Sequence, residues 1–303
     1  MTITARPLGR ALETLLAGAI DYAGLFPPAA LSLDDAVANY SRYLHAPDGW
    51  ALGRFVAPAA RLPELAETLG RLGPDQRGPV VWRVSAVLGP DVEVELHRVR
   101  EFNARVARHG ARVDSLEAKV ATPEDVDRLS TVASEGLDRY GEVALTGDLV
   151  ALLTAVARSH SFAKIRMGGT TAEAFPEPDW VVDFLHATHT AQVPFKATAG
   201  LHHPIRGIYR LTYQTDSAAA WMYGYLNLGL AVLLARASAA SETIRAALLE
   251  EDPRAIRRDG GLAWREWRFD LAHIAALRAE SFHGFGSCSF REPMDEVARA
   301  ETG

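Results

Sequence analysis

The stretch GEVALTGDLVALLTAVARSHSFAKIRMGGTTAEAFPEPDWVVDFLHATHTAQVPFKATAG, residues 141–200, decides the fold. It holds three short β-prone runs, Gly141–Leu145, Phe162–Met167 and Val193–Thr198. Two helical segments lie between them. Thr146 to Asp148 opens LVALLTAVA and Glu177–Asp179 opens WVVDFLHATH, with side chains suited to a helix's unpaired first N–H groups. Parallel strands need such a crossover between them, so the alternation argues for an α/β chain with a parallel sheet.

Working outward, the same alternation continues both ways. Five more strand candidates are Ile20–Phe26, Leu52–Ala57, Val80–Val87, Val113–Val120 and Gly284–Ser289. Ser32 with Asp35 forms a capping box before AVANYSRYL, and Thr122, Pro123 and Asp125 open another helix. Further helices read from Asp91 to His109 and from Trp267 to Ser281. Eight strands in alternation with helices predict a (β/α)8 TIM barrel, one domain over 1–303. The surplus length falls at about 214–260, where Ser217–Arg236 and Ser241–Glu251 read as an extra helical insertion after the seventh strand. Trp221, Met222, Tyr223 and Tyr225 on the first of these read as core packing against the barrel, with an interface or a lid as the other readings.

Composition narrows the function. A net charge of −6 over 303 residues argues against non-specific nucleic-acid binding. The longest apolar run, LGLAVLLA at 228–235, is far too short to span a bilayer. The single cysteine, Cys288, excludes an intrachain disulfide framework and fits a reducing compartment, so a cytoplasmic location is expected. Arg6 and Arg10 followed by ALETLLAGAI faintly resemble a leader, but Glu13 interrupts the run, and a short helix packed under the fold is expected. Arg254–Arg258 reads as a solvated turn, and a homo-oligomer stays open.

Of the 32 basic residues, only Lys119, Lys164 and Lys196 are lysines. Arginine cannot lose its proton in a protein and lysine can, so a lysine retained in an arginine-rich chain invites a chemical reason. All three fall near the C-terminal ends of predicted barrel strands, where active sites of this fold are built. Strand alternation puts Lys164 with Arg166, Lys196 with Thr198, and Glu117 with Lys119, facing the barrel interior. Their neighbours Ile165, Phe195, Ala197, Leu116 and Ala118 suit the helix layer. Gly168, Gly169 and Gly200 follow two of the lysines and would let backbone N–H groups approach an anion, or simply make a tight turn. Cations buried together lower a lysine's pKa, and a neutral amine can form a Schiff base. The other reading is a cluster that merely binds phosphate or carboxylate.

The chain resembles the deoxyribose-phosphate aldolase family, class I aldolases on a (β/α)8 barrel. DYAGLFPP is similar to the family's Asp-x-Thr-x-Leu-x-Pro, and RVSAVLG to its Val-x-Thr-Val-x-x-Phe-Pro. DSLEAKV resembles Asp-Glu-Ile-Asp-Met-Val, which puts Glu117 on the catalytic aspartate. FAKIRMGG is similar to Phe-Ile-Lys-Thr-Ser-Thr-Gly, which carries the Schiff-base lysine, and FKATAG to Val-Lys-Ala-Ser-Gly-Gly, which carries the second lysine. FGSCS resembles a phosphate-binding Gly-x-Ser-Ser, with Ser287 and Ser289 in that segment. The chain departs from the family at Ile-Arg-Met after the first lysine and at His202, His203 and Pro204 after the second.

The resemblance implies a lyase in which Lys164 is the nucleophile, Lys196 tunes it by its charge, and Glu117 moves protons. No cofactor or metal is implied. Arg54, Arg83, Arg166 and Lys119 are expected to hold a phosphate or carboxylate on a small carbonyl substrate, and Asp21 to partner a lysine. His202 and His203 are expected to hydrogen-bond substrate. The competing readings are a metal-dependent lyase or hydrolase using Asp21, Glu117, His202 and His203, and a non-catalytic barrel that binds an anionic metabolite. Cys288 is expected to be buried and inert.

Overall fold

The computed structural model describes residues 8–72, 81–107, 110–132, 136–145 and 147–300. Its strands are β1 (Ile20–Tyr22), β2 (Leu52–Pro58), β3 (Trp82–Val87), β4 (Ala111–Val120), β5 (Asp138–Val143), β6 (Phe162–Arg166) and β7 (Phe195–Thr198). Two antiparallel hairpins follow, β8 (Gly207–Arg210) with β9 (Ala219–Met222) and β10 (Gly261–Trp264) with β11 (Trp267–Asp270). β12 (Phe282–Ser287) then pairs with both β7 and β1, which closes an eight-stranded parallel barrel. The expected (β/α)8 architecture is therefore present. The three termini at Val80, His109 and Thr146 that the sequence suggested lie outside the described residues.

The helices are α1 (Arg10–Leu16), α2 (Leu33–Leu44), α3 (Leu62–Arg71), α4 (Val92–Val106), α5 (Pro123–Val132), α6 (Leu149–Arg158), α7 (Pro178–Thr190), α8 (Tyr225–Arg236), α9 (Ser241–Leu248), α10 (Leu271–Glu280) and α11 (Arg291–Ala300). Their starts are chemically marked. Ser32 Oγ accepts Asp35 N–H at 3.1 Å, Asp91 accepts from Val94 at 3.2 Å, and Asp148 accepts from Ala151 at 2.9 Å. The apolar face of α1 is buried against α10.

The insertion after β7 is half extended, which corrects the first predicted helix. Residues 217–222 do not join α8, because its first N–H groups are already taken: Tyr225 donates to the His203 carbonyl and Leu226 to the Pro204 carbonyl, each at 3.0 Å. Ala219–Met222 pairs with Gly207–Arg210 instead. Trp221 is exposed on that hairpin, whereas Tyr223 and Tyr225 are core. The helix expected from Trp267 is likewise shortened, because Asp270 caps α10 by accepting His273 N–H at 3.0 Å. The apolar run at 228–235 lies within α8, whose residues from Tyr225 to Ala235 are all buried. Among the described residues no helix is long and apolar enough to cross a membrane.

The barrel interior is polar. β4 carries one residue more than β3 between Val84 and Ser85, so Val113 and Ser115 find partners on β3 while Asp114 opposes none. This bulge lets Asp114 reach Arg54 and Arg83 while Ser115 and Glu117 both meet Ser85 inside the barrel. Ionic groups thus fill two levels, one toward each end of the strands.

Candidate active site

The upper level is a chain of alternating charges at the C-terminal strand ends. Lys196 Nζ donates to Asp21 Oδ2 at 3.0 Å and to Glu117 Oε1 at 2.5 Å. Glu117 Oε2 receives Lys164 Nζ at 2.7 Å. Lys164 also reaches Glu142 Oε2 at 2.6 Å, and Arg166 Nε meets Glu142 Oε1 at 3.1 Å. Ser85 Oγ donates to Glu117 Oε1 at 2.6 Å. Lys164, Lys196 and Glu117 are each at most 4 % exposed, so these contacts form out of water, where an unpaired charge would be severely costly. Lys164 and Lys196 sit directly opposite each other in the β6–β7 register.

Burial by itself would raise the Glu117 pKa, but the two ammonium groups override it and hold the carboxyl well below its ordinary range. Glu142 is lowered as well, its burial outweighed by Lys164 and Arg166. Burial would lower Lys196, yet Asp21 and Glu117 push it upward. Glu117 stands between the two lysines with one oxygen on each, so their repulsion is compensated. The Tyr140 ring lies under Lys196, 4.5 Å from Nζ to its centroid, and the Tyr140 hydroxyl contacts His283 Nδ1 at 2.9 Å.

Above this level opens a cavity of about 1480 Å³ lined by Asp21, Glu117, Glu142, Lys164 and Lys196. Lys119, Arg166, Gly169, Thr198, Gly200, His202 and His203, all singled out from the sequence, line it too. Gly168 and Gly200 serve the two loops' close approach: a Cβ on Gly200, which has φ +70°, would stand 2.9 Å from Gly168 Cα, and a Cβ on Gly168 would strike Phe175.

Four expected anion-binding residues lie elsewhere. Arg54 and Arg83 stand in the lower level, because their positions fall early in β2 and β3. There Arg54 Nε binds Asp114 at 2.7 Å and its NH2 binds Asp138 at 2.5 Å, while Arg83 Nε binds Asp114 at 2.6 Å. Neither lines the cavity. Ser287 is 2 % exposed and its backbone carbonyl accepts Ala23 N–H, and Ser289 Oγ accepts Glu292 N–H at the start of α11. Ser287 Oγ also lies 3.4 Å from Nδ1 of His202 on the cavity wall.

The metal set Asp21, Glu117, His202 and His203 is not assembled. The two carboxylates are committed to lysines, whereas His202 Nδ1 meets Glu292 at 3.0 Å and His203 Nδ1 meets Glu296 at 2.9 Å. His203, Glu292 and Glu296 form the described trio whose ligating atoms lie close enough for a cation, within 4.8 Å. His202 is pushed up to about 10: burial opposes its charge, but Cys288 and Glu292 favour it more. Cys288 is buried on the cavity wall, 3.3 Å from the Tyr213 hydroxyl.

Sequence reading missed Glu142, whose signal was a lone charge inside the short strand run GEVAL. It also missed the β8–β9 hairpin, from which Tyr209, Arg210, Met222 and, in the turn after β8, Leu211 line the cavity. Met222 is buried, as core packing requires, and also lines the cavity. Comparison with protein-family models and with curated proteins returns no match.

Proposed function

We propose that this chain is a class I aldolase-like carbon–carbon lyase, in which Lys164 forms a Schiff base with a carbonyl substrate. The observation that carries the reading is a buried carboxylate, Glu117, shared by two lysines at the floor of the cavity, with a second carboxylate on Lys164 alone. Attack on the carbonyl needs the lone pair of a neutral amine, so Lys164 first passes a proton to Glu142. The carbinolamine takes that proton back as its hydroxyl leaves as water, and the iminium restores the positive charge at Nζ. The iminium's one N–H donates to one of the two carboxylates, while the charges of both Glu117 and Glu142 still favour it.

Cleavage of the carbon–carbon bond sends its electron pair toward the iminium, leaves a neutral enamine, and releases the other fragment as a carbonyl whose former hydroxyl gives up its proton. With the charge at Lys164 gone, only Arg166 still favours the ionised form of Glu142, so its carboxylate gains proton affinity and can take that hydroxyl proton. Lys196 is locked as a cation by Asp21 and Glu117, which keeps Glu117 ionised throughout. Arg166 and Lys119 on the rim supply positive charge for an anionic substituent. Borohydride reduction with a panel of aldehydes and ketones tests the reading by intact mass. One covalent equivalent is expected with at least one carbonyl, and no mass gain with any of them contradicts it.

A further inference from the structure

The cavity is two-sided. Among the described residues, the only ionisable group that β1, β2, β3 and the loops after them present to it is Asp21, which is already paired with Lys196. The rest of that wall includes Pro27, Val56, Val87, Leu88 and Val92. Val120 and Val143 extend it from β4 and β5. Besides Lys164 and Lys196, the lysines and arginines that line the cavity are Lys119, Arg128, Arg166 and Arg210, and all six stand on β4 or later elements, with Arg128 at the edge beside Pro90 and Val92. The side chains of Lys119 and Arg210 make no hydrogen bond or ion pair among the described residues. The volume, about 1480 Å³, exceeds the range of roughly 300–1,000 Å³ that accommodates drug-sized ligands.

We infer that the lobe over β1–β3 is a binding subsite for an apolar body, so that the substrate is an aldehyde or ketone with an extended aliphatic or aromatic substituent. This rests on the Schiff-base reading for the carbonyl but not for the lobe. A short phosphorylated aldehyde would leave the lobe filled with water against valine and leucine. An apolar chain displaces that water and gains transfer free energy for each methylene. Relocation of Arg54 and Arg83 to the lower level removes the cations that would have opposed it.

The test is the rate of borohydride trapping at limiting concentration with propanal, butanal, hexanal and glyceraldehyde 3-phosphate. Each added methylene is expected to raise the rate about fourfold, and so roughly sixtyfold from propanal to hexanal. Val87→Thr, which keeps shape and exchanges a methyl for a hydroxyl, is expected to lower the hexanal-to-propanal ratio. Adducts that form equally well at every length, or best with the phosphorylated aldehyde, overturn the apolar subsite and leave the Schiff base standing. If no aldehyde reacts, the Schiff-base reading falls and titration calorimetry with the matching alcohols decides the subsite. Affinity that tightens with length in the wild type and less in Val87→Thr supports it, and affinity independent of length overturns it.

Discussion

Glu117→Gln is the perturbation that most sharply separates a paired network from an incidental cluster. The carboxylate accepts from Lys164 at 2.7 Å, from Lys196 at 2.5 Å and from Ser85 at 2.6 Å, with 2 % of its surface exposed. An amide has a single accepting end, so its NH2 group must face a donor, and each lysine keeps only one carboxylate. Breaking a buried ion pair costs about 3–5 kcal/mol, because the surviving charge is left in the interior. For a chain of this size that corresponds to a fall in Tm on the order of 10 °C. Urea unfolding at pH 7 is the assay.

The pH dependence supplies a second arm. The folded pKa of Glu117 is depressed, so its stabilisation is complete above the unfolded carboxyl value and is lost as pH falls through the folded value. Wild type is expected to lose stability below about pH 4.5, whereas the variant loses less over the same window. A variant within 1 kcal/mol of wild type at pH 7, with the same acid limb, would refute the reasoning.

Three further outcomes follow from the same contacts. Glu142→Gln removes the carboxylate that Lys164 does not share with Lys196, and is expected to slow imine trapping about a hundredfold, the scale of a lost acid–base group; an unchanged rate removes Glu142 from the chemistry. Arg54→Met strips Asp114 and Asp138 of a buried partner, so it is expected to cost roughly 2–5 kcal/mol in urea unfolding while trapping stays within a few-fold of wild type; the reverse pattern would return Arg54 to the site. His202 has a raised folded pKa, so the stability it lends is complete below about pH 6.5 and is lost as pH climbs toward 10. His202→Gln should flatten that decline, which urea midpoints between pH 6 and 10 will show, and an unchanged decline contradicts the assignment.

Much of the barrel was legible because its determinants are local. Period-two alternation put Glu117 beside Lys119 and Lys164 beside Arg166 on inward faces, and Ser32, Asp91 and Asp148 marked helix starts by chemistry that acts over three residues. The β8–β9 hairpin was not legible, because what prevents residues 217–222 from becoming helix is the capture of two N–H groups by carbonyls of residues 203 and 204, a tertiary event. Arg54 and Arg83 were misplaced for a related reason. Strand alternation gives the face on which a residue stands, but its height along the barrel depends on register and on the β4 bulge. Glu142 escaped because a charge near the end of a short strand reads as a solvated terminus until Lys164 is seen opposite it. The alternation of sign was not legible for the same reason: Asp21 and Glu117 stood in the sequence, but only the assembled strands put Glu117 between the two lysines and Glu142 on Lys164.

The central claim is that Lys164 carries the imine. Peptide mass mapping after borohydride reduction with a reactive aldehyde tests it most directly, because Lys164 and Lys196 share Glu117 and only the site of attachment separates their roles. The adduct is expected on the peptide containing Phe162–Arg166, at Lys164, and is expected to be lost in Lys164→Arg. An adduct confined to Lys196, or one that persists undiminished in Lys164→Arg, would contradict it.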